Sequence, residues 1–170
     1  MIRIGVIGYG YWGPNLVRNF ADCTDAVVRM VCDTRPERLA QVERRYPGVK
    51  VTNVPADLCN DPNVDAVVIA TPVETHFDLA LAALRAGKHV LVEKPITASS
   101  DEASRLIDEA QARNLVLMVG HTFVYTGAVR KMKELSETGC ESPYSAGTGT
   151  TDCATVLAPS ASAALMPADT

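Results

Sequence analysis

The chain has 170 residues, of which 47% are hydrophobic and 21% are charged, and its formal net charge is -4. This composition is typical of a globular domain with a sizeable core. A negative net charge argues against a nucleic-acid partner. No apolar run approaches the roughly 18 residues that cross a bilayer, so we expect no membrane partner either.

Six apolar segments rich in valine and isoleucine alternate with helical patterns along the chain. The strands are predicted at residues 2–7, 26–32, 49–52, 66–70, 89–93 and 116–119, and the helices at 14–22, 37–45, 74–86 and 101–113. Continuous apolar strands are typical of a parallel sheet that is buried on both faces, and their alternation with helices predicts a doubly wound α/β sheet. We expect the strand order 3-2-1-4-5-6.

A glycine-rich turn follows the first predicted strand, just before the helix that starts near Pro14. Its sequence is Gly8-Tyr9-Gly10-Tyr11-Trp12-Gly13. In a dinucleotide-binding βαβ unit, such glycines allow a tight turn, close approach of the backbone to a pyrophosphate, and close packing of helix and strand. The amino end of the helix presents N–H groups to the phosphates. The motif therefore predicts a cofactor site, and a glycine turn with a packing role alone is the alternative.

An acidic residue, Asp33, lies twenty positions after Gly13, at the end of the second predicted strand. A carboxylate at this place accepts hydrogen bonds from the adenosine ribose and repels a 2′-phosphate, so we expect NAD in preference to NADP. Arg35 complicates this expectation, because an arginine could pair with that phosphate. The alternative for Asp33 is a cap of the helix that starts near Pro36.

More candidate residues follow the fourth predicted strand, in the segment Ala70-Thr71-Pro72-Val73-Glu74-Thr75-His76. In doubly wound sheets, ligands bind at the carboxyl ends of the strands beside the point where the strand order reverses. We expect Thr71 and Pro72 to contact the cofactor and the ring of His76 to face the same cleft. A surface or capping role for His76 is an equally good interpretation.

The fifth predicted strand ends in Glu93-Lys94-Pro95. A lysine at the carboxyl end of a buried strand can reach a substrate oxygen beside the nicotinamide, where its charge stabilises a developing alkoxide. We predict Lys94 as the catalytic residue and, together with Glu93, as part of the cofactor site. The bond before Pro95 is a candidate for the cis form. The alternative is a lysine that only pairs with Glu93 or Glu74.

The cysteines are five in number and form no Cys-x-x-Cys pair. They are Cys23, Cys32, Cys59, Cys140 and Cys153. We interpret them as reduced, mostly packed thiols of a cytoplasmic protein. Their spacing gives little support for a zinc site, and we predict no metal.

The composition changes after residue 135. All sixteen Lys and Arg residues lie at or before Lys133, and the only charges from Ser136 onward are Glu137, Glu141, Asp152 and Asp169. We expect a dinucleotide-binding domain at 1–135 and a low-complexity, disordered tail at 136–170, with a linker to a partner as the alternative. Residues 124–135 carry an apolar stripe of Val124, Val129, Met132 and Leu135, through which the chain could self-associate.

These motifs together resemble the glucose-fructose oxidoreductase / inositol dehydrogenase / MocA (Gfo/Idh/MocA) family over about residues 1–135. The matching residues are the glycine turn, Asp33, Ala70-Thr71-Pro72, His76, Glu93-Lys94-Pro95 and Val119-Gly120-His121. The resemblance implies a Rossmann domain for NAD or NADP and redox chemistry on sugars, cyclitols and nucleotide-sugars at a carbinol carbon. It also implies that Lys94 contacts both substrate and cofactor. The Gly-Tyr-Gly-Tyr-Trp-Gly-Pro-Asn form is similar to members that act on UDP-amino sugars.

The family also has a carboxy-terminal α/β domain, which supplies the substrate pocket, the oligomer interface and a histidine general acid/base. Nothing in residues 136–170 resembles that domain, and His121 is the last histidine of the chain. We therefore interpret the chain as the truncated cofactor half of a sugar or nucleotide-sugar dehydrogenase, weakly active or inactive alone. A frameshift or truncation in the coding sequence would produce this pattern. The alternative is a non-catalytic NAD-binding sensor or interaction module.

Overall fold

The computed structural model describes residues 1–137. The chain divides into two units, Met1–Thr122 and Phe123–Thr170. The first unit contains the whole sheet. The described part of the second unit consists of a short turn and one helix.

The sheet has six strands, and every neighbouring pair is parallel. The strands are β1 (Ile2–Ile7), β2 (Ala26–Cys32), β3 (Lys50–Thr52), β4 (Ala66–Ile69), β5 (His89–Val92) and β6 (Leu117–Val119). Their order is β3-β2-β1-β4-β5-β6. The predicted doubly wound sheet is therefore confirmed, and each strand lies within the segment predicted for it.

Five helices connect the strands. They are α1 (Gly13–Ala21), α2 (Pro36–Arg45), α3 (Pro55–Asn60), α4 (His76–Arg85) and α5 (Ser100–Ala112). The first three have proline in their first turn, where the missing N–H costs no hydrogen bond. Ser99 caps α5 by accepting a hydrogen bond from the Glu102 amide at 3.3 Å. The helix predicted at 74–86 instead begins with a 3-10 turn, Val73–Thr75, and becomes α-helical at His76.

The sequence patterns did not predict α3, whose six residues make fewer than two turns. The helix nevertheless packs firmly, because the side chain of Leu58 is fully buried under β1. A Cβ atom on Gly5 would lie 2.5 Å from the Leu58 side chain. A glycine in the middle of β1 therefore provides the space that α3 needs.

The core lies on both faces of the sheet. On one face α4 and α5 cover β4 and β5 with buried residues that include Val67, Ile69, Leu84, Val92 and Leu106. On the other face α1 and α2 cover β1 and β2 with residues that include Val6, Val17, Val31 and Val42. Burying each such side chain contributes about 1.5–3 kcal/mol. This packing holds the strand ends, and with them the loops of the candidate site, in fixed positions.

The 3-10 turn Thr122–Tyr125 begins at the last residue of the first unit, and α6 (Gly127–Glu137) follows it in the second unit. This helix begins three residues later than the predicted stripe at 124–135. Of the tail expected at 136–170, only residues 136 and 137 are described, and they end α6; the rest lies outside the described residues. No helix between residues 1 and 137 is both long and apolar enough to cross a membrane.

Candidate functional site

A crevice forms at the carboxyl ends of β1 and β4, where the order of the strands in the sheet reverses. These strands lie side by side and run parallel, with Ile7 opposite Ile69 at their carboxyl ends. The helix after β1 packs on one face of the sheet, and the helix after β4 packs on the other face. The two loops therefore diverge and leave an open space at this edge.

The glycine turn lies at this edge, and its backbone requires glycine at two places. Gly8 has a φ of +99°, and a Cβ atom there would lie 2.5 Å from the carbonyl oxygen of Ala70. A Cβ atom on Gly13 would overlap the carbonyl oxygen of Gly8. These two glycines thus bring the turn against both β4 and the start of α1.

The turn leaves several backbone donors unused. Within residues 1–137, no acceptor engages the amides of Gly10, Tyr11 and Trp12. They precede the first turn of α1, where the helix dipole adds positive potential. Unpaired amides at a helix amino end are suited to an anion such as a pyrophosphate.

The cleft around this turn has a volume of about 620 Å³. Seven of the predicted site residues line it: Gly8, Gly10, Tyr11, Trp12, Asp33, Thr71 and Pro72. The other five, Tyr9, Gly13, His76, Glu93 and Lys94, are not part of its lining. The structure therefore brings the glycine turn, the end of β2 and the loop after β4 together around one space.

Asp33 is almost fully buried, with 5% of its surface exposed. Its Oδ2 atom accepts a hydrogen bond from the Tyr9 amide at 2.7 Å, and its Oδ1 atom accepts one from the Arg35 amide at 2.9 Å. The second bond closes a turn just before α2 and does not cap that helix, whose N-cap residue is Arg35. The first bond fixes the glycine turn. A carboxylate has about four acceptor positions, so two backbone donors leave room for a further hydroxyl.

A further arginine, Arg38, contacts Asp33. Its Nη1 atom lies 3.1 Å from Asp33 Oδ2, and its side chain borders the cleft beside Gly10. The sequence interpretation considered Arg35, whose backbone amide and not its side chain contacts Asp33. Placing Arg38 in the first turn of α2 could have found it, because that turn starts at the carboxyl end of β2.

Cys32 precedes Asp33 and lies at the bottom of the cleft. Burial, and secondly the negative charge of Asp33, raise the pKa of the Cys32 thiol to about 11. Cys32 and Cys59 are buried and Cys23 is exposed, and all three are free thiols. Cys32 is therefore a packed, neutral group and not a nucleophile.

The loop after β4 is braced by its own hydroxyl groups. Thr75 Oγ1 lies 2.7 Å from both Thr71 Oγ1 and the carbonyl oxygen of Pro72. Thr71, Pro72 and Thr75 all line the cleft. This loop therefore gives the cleft a fixed wall on the side away from Asp33.

His76 is placed differently from the expectation that its ring faces the cleft. The side chain is buried, with 1% of its surface exposed. Its Nδ1 atom lies 2.9 Å from the carbonyl oxygen of Pro95, and its Nε2 atom lies 2.9 Å from the carbonyl oxygen of Thr71. Both ring nitrogens thus face backbone carbonyls within the protein, and this geometry does not support direct contact of the ring with a cofactor.

Glu93 and Lys94 follow β5 at the same edge of the sheet. The carboxylate of Glu93 lies beside Gly120, where a Cβ atom would come within 3.2 Å of it. Lys94 is exposed, and its side chain makes no ion pair or hydrogen bond within residues 1–137. The pairing with Glu93 or Glu74 that the sequence left open is absent from this part of the chain. The Lys94–Pro95 bond is cis.

The donor set of the cleft fits a dinucleotide. Unpaired amides lie where a pyrophosphate needs donors, a carboxylate lies at the end of β2 where a ribose needs an acceptor, and the cleft joins the two. Gly10 has only the mobile end of Arg38 near its missing Cβ, at 3.4 Å. The backbone there is thus accessible from the cleft.

Comparison with known proteins agrees with this geometry. The GFO_IDH_MocA family model, described as an oxidoreductase family with an NAD-binding Rossmann fold, matches residues 2–121. The chain is 33% identical over 138 residues to a myo-inositol 2-dehydrogenase of Thermotoga maritima, covering 81% of this chain and 41% of that protein. It is 41% identical over 120 residues to a UDP-N-acetylglucosamine 3-dehydrogenase of Acidithiobacillus ferrooxidans, covering 71% of this chain and 37% of that protein.

Solved structures show the same fold. The apo scyllo-inositol dehydrogenase of Lactobacillus casei superposes with a TM-score of 0.77 at 26% identity, covering 82% of this chain and 42% of that one. The biliverdin reductase of Synechocystis sp. PCC 6803, in complex with biliverdin and NADP+, gives a TM-score of 0.73 at 26% identity, covering 80% and 43%. The chain spans about two fifths of the length of the curated relatives it matches. It therefore belongs to the Gfo/Idh/MocA oxidoreductase family, with the NAD-binding Rossmann fold of that family at residues 2–121.

Proposed function

We propose that this domain binds NAD in the cleft beside the glycine turn and acts as the cofactor half of a dehydrogenase for sugars or nucleotide-sugars. The observation that carries the proposal is the placement of three unpaired amides and the Asp33 carboxylate around one cleft. The relatives support the substrate class, since one is named for myo-inositol and another for UDP-N-acetylglucosamine.

NAD is the proposed cofactor in preference to NADP, and the balance between them rests on two opposite charges. The Asp33 carboxylate accepts ribose hydroxyls and repels a 2′-phosphate. Arg38 lies 3.1 Å from that carboxylate and neutralises part of its charge. Because its guanidinium borders the cleft, it also offers a partner to the phosphate, so we expect the preference for NAD to be moderate.

Lys94 is the proposed catalytic residue. When bound, the nicotinamide would take a hydride from a carbinol carbon, or give one to the corresponding carbonyl carbon. The ammonium of Lys94 then stabilises negative charge that develops on the carbinol oxygen. Its free, exposed position after β5 leaves it available for this contact. Residues 1–137 offer little else that would hold a sugar, so we expect weak or no turnover by the chain alone.

Calorimetric titration of the purified chain with NAD tests the cofactor proposal. Gly10→Leu places a side chain in the cleft without a backbone clash, so it should abolish NAD binding and leave the fold intact. Gly48→Leu is the matched control, because a Cβ atom there meets nothing within 4 Å. NAD binding that survives in the Gly10 variant, or that is absent from the unmodified chain, would overturn the proposal.

Turnover is measured separately, by formation of NADH with myo-inositol and with UDP-N-acetylglucosamine. Steady NADH formation by the chain alone would contradict the expected weak turnover and would allow a test of Lys94→Met. Loss of NADH formation in that variant, with unchanged NAD affinity, would support the catalytic role of Lys94. A variant as active as the unmodified chain would show that Lys94 is not catalytic.

We further infer a cytoplasmic location, which the free thiols Cys32 and Cys59 support.

We also infer self-association through residues 124–135. Val124 and Met132 in that segment are both exposed. Static light scattering should show an assembly that Met132→Lys converts to a monomer, while Lys131→Met leaves it assembled. A monomer at all concentrations would contradict the self-association.

A further inference from the structure

We propose that His76 is a positioning residue for the nicotinamide half of the cofactor site, because it ties the loop after β4 to the loop after β5. This inference rests on the proposed function. The buried ring packs between two backbone carbonyls that are far apart in sequence, those of Thr71 and Pro95, and one ring nitrogen lies 2.9 Å from each carbonyl oxygen. Thr71 lines the cleft, and Pro95 follows Lys94 directly. The ring thereby sets the position of the lysine relative to the wall of the cleft.

The ring is unsuited to proton transfer with a substrate. Both of its partners are carbonyl oxygens, which only accept hydrogen bonds. A neutral imidazole has one N–H and donates to one of them, whereas the imidazolium donates to both. In either form no ring nitrogen faces the cleft. His76 therefore acts through the two loops and not on the reacting atoms.

The order of the strands determines which half of a dinucleotide these loops would meet. Asp33, the proposed ribose acceptor, follows β2 on one side of β1, and Thr71 and Pro95 follow β4 and β5 on the other side. A ligand with its pyrophosphate at the glycine turn and its adenosine beside Asp33 extends its nicotinamide toward β4 and β5. Loss of the tie should weaken contacts with that half alone.

Two ligands separate a positioning role from a merely structural one. NADH carries the nicotinamide, and ADP-ribose has the same adenosine and pyrophosphate without it. For His76→Phe, which keeps the buried ring volume, we expect the Kd for NADH to rise about tenfold, the loss of roughly one hydrogen bond. The Kd for ADP-ribose should change less than about twofold, because this ligand has no nicotinamide to make the affected contacts.

Two further variants complete the experiment. His76→Gln retains one side-chain donor and should restore part of the NADH affinity, and it replaces the Phe variant if that one does not fold. His89→Gln is the matched control, since His89 starts the same strand β5 at the opposite edge and its ring accepts from the Val116 amide at 3.0 Å. It should leave both affinities unchanged.

The outcomes are distinct. A selective loss of NADH affinity, with partial recovery in the Gln variant, supports the proposal. Equal losses for both ligands would identify a structural role of His76 and overturn the proposal. Unchanged affinities for both ligands would also overturn it. So would equal affinity of the unmodified chain for NADH and ADP-ribose, because the nicotinamide would then make no contact that His76 could position. If the unmodified chain binds neither ligand, the proposed function itself fails, which is a separate result.

Discussion

The Asp33 carboxylate accepts a hydrogen bond from the Tyr9 amide at 2.7 Å, and this bond joins the end of β2 to the glycine turn after β1. Both residues are buried, with 5% and 4% of their surfaces exposed. The acidic residue therefore holds the turn in shape as well as offering acceptor positions to a ribose. The two roles are separable, because the amide oxygen of asparagine can still accept the Tyr9 hydrogen bond but carries no negative charge to repel a 2′-phosphate.

Replacing Asp33 with alanine should destabilise the fold by about 1–3 kcal/mol, because it leaves the buried Tyr9 amide without an acceptor. Asp33→Asn should cost less, since its side-chain oxygen can still accept that bond. Both variants should bind NAD more weakly and discriminate less against NADP, because neither repels a 2′-phosphate. Urea unfolding measures the stability and calorimetry measures the affinities. An alanine variant as stable as the original would show that the Asp33–Tyr9 hydrogen bond does not stabilise the fold.

Much of the fold could be predicted because a parallel sheet covered on both faces leaves a strong pattern. Segments such as residues 26–32 and 89–93 are nearly continuous in valine and other apolar residues, and the strands observed there, β2 and β5, differ by at most one residue. The boundaries of α4 were less predictable, since the 3-10 turn Val73–Thr75 precedes it and hydrogen bonding within that turn decides where the helix starts.

Positions in the site were predictable where a local motif determines the backbone, as at Gly8 and Gly13. Arg38 could have been found from its place in the first turn of α2, five residues after Asp33. The role of His76 could not, because it depends on contacts between two loops that are distant in sequence. His76 meets a carbonyl 19 residues away, and its direction depends on the preceding 3-10 turn. No spacing rule in the sequence contains that information.

The preference between NAD and NADP should depend on Arg38 and not on Arg35. Arg38→Gln removes the guanidinium that borders the cleft, so the affinity for NADP should fall about tenfold relative to that for NAD, the value of one charge-assisted hydrogen bond. Arg35→Gln is the control, because the Arg35 side chain is exposed and only its backbone amide contacts Asp33. Titrations of the unmodified chain and of both variants with NAD and with NADP check this. A larger effect of the Arg35 variant would reverse the assignment.

The thiols should differ widely in reactivity. With a pKa of about 11, Cys32 is about one part in a thousand thiolate near pH 8, and only 1% of its surface is exposed. The exposed Cys23 should react with iodoacetamide much faster in the native protein, and urea should remove the difference. Peptide mass spectrometry assigns the labelled positions. Labelling of Cys32 as fast as that of Cys23 in the native protein would show that the Cys32 thiol is not packed at the bottom of the cleft.

The fold should lose one specific contribution in acid. Asp65 accepts hydrogen bonds from the guanidinium Nε of Arg3 at 2.9 Å and from the Arg3 amide at 2.8 Å, and these bonds, the guanidinium's first, hold the pKa of Asp65 far below its usual range. Because the folded carboxyl binds a proton less readily than the unfolded one, the stabilisation is complete above about pH 4, the unfolded pKa, and is lost as the pH falls toward the lower folded pKa.

We therefore expect Asp65→Asn to lower the Tm by about 3 °C near pH 7, a modest effect since both side chains are partly exposed and screened by solvent. Near pH 3 the difference from the unmodified protein should shrink, because the Asp65 carboxyl of the unfolded chain is then mostly protonated while that of the folded protein still resists protonation. Asp25→Asn is the control, as Asp25 is exposed and its side chain makes no hydrogen bond within residues 1–137. Thermal unfolding of the three proteins at both pH values is the measurement, and a difference that stays constant or grows in acid would contradict the assigned pKa shift.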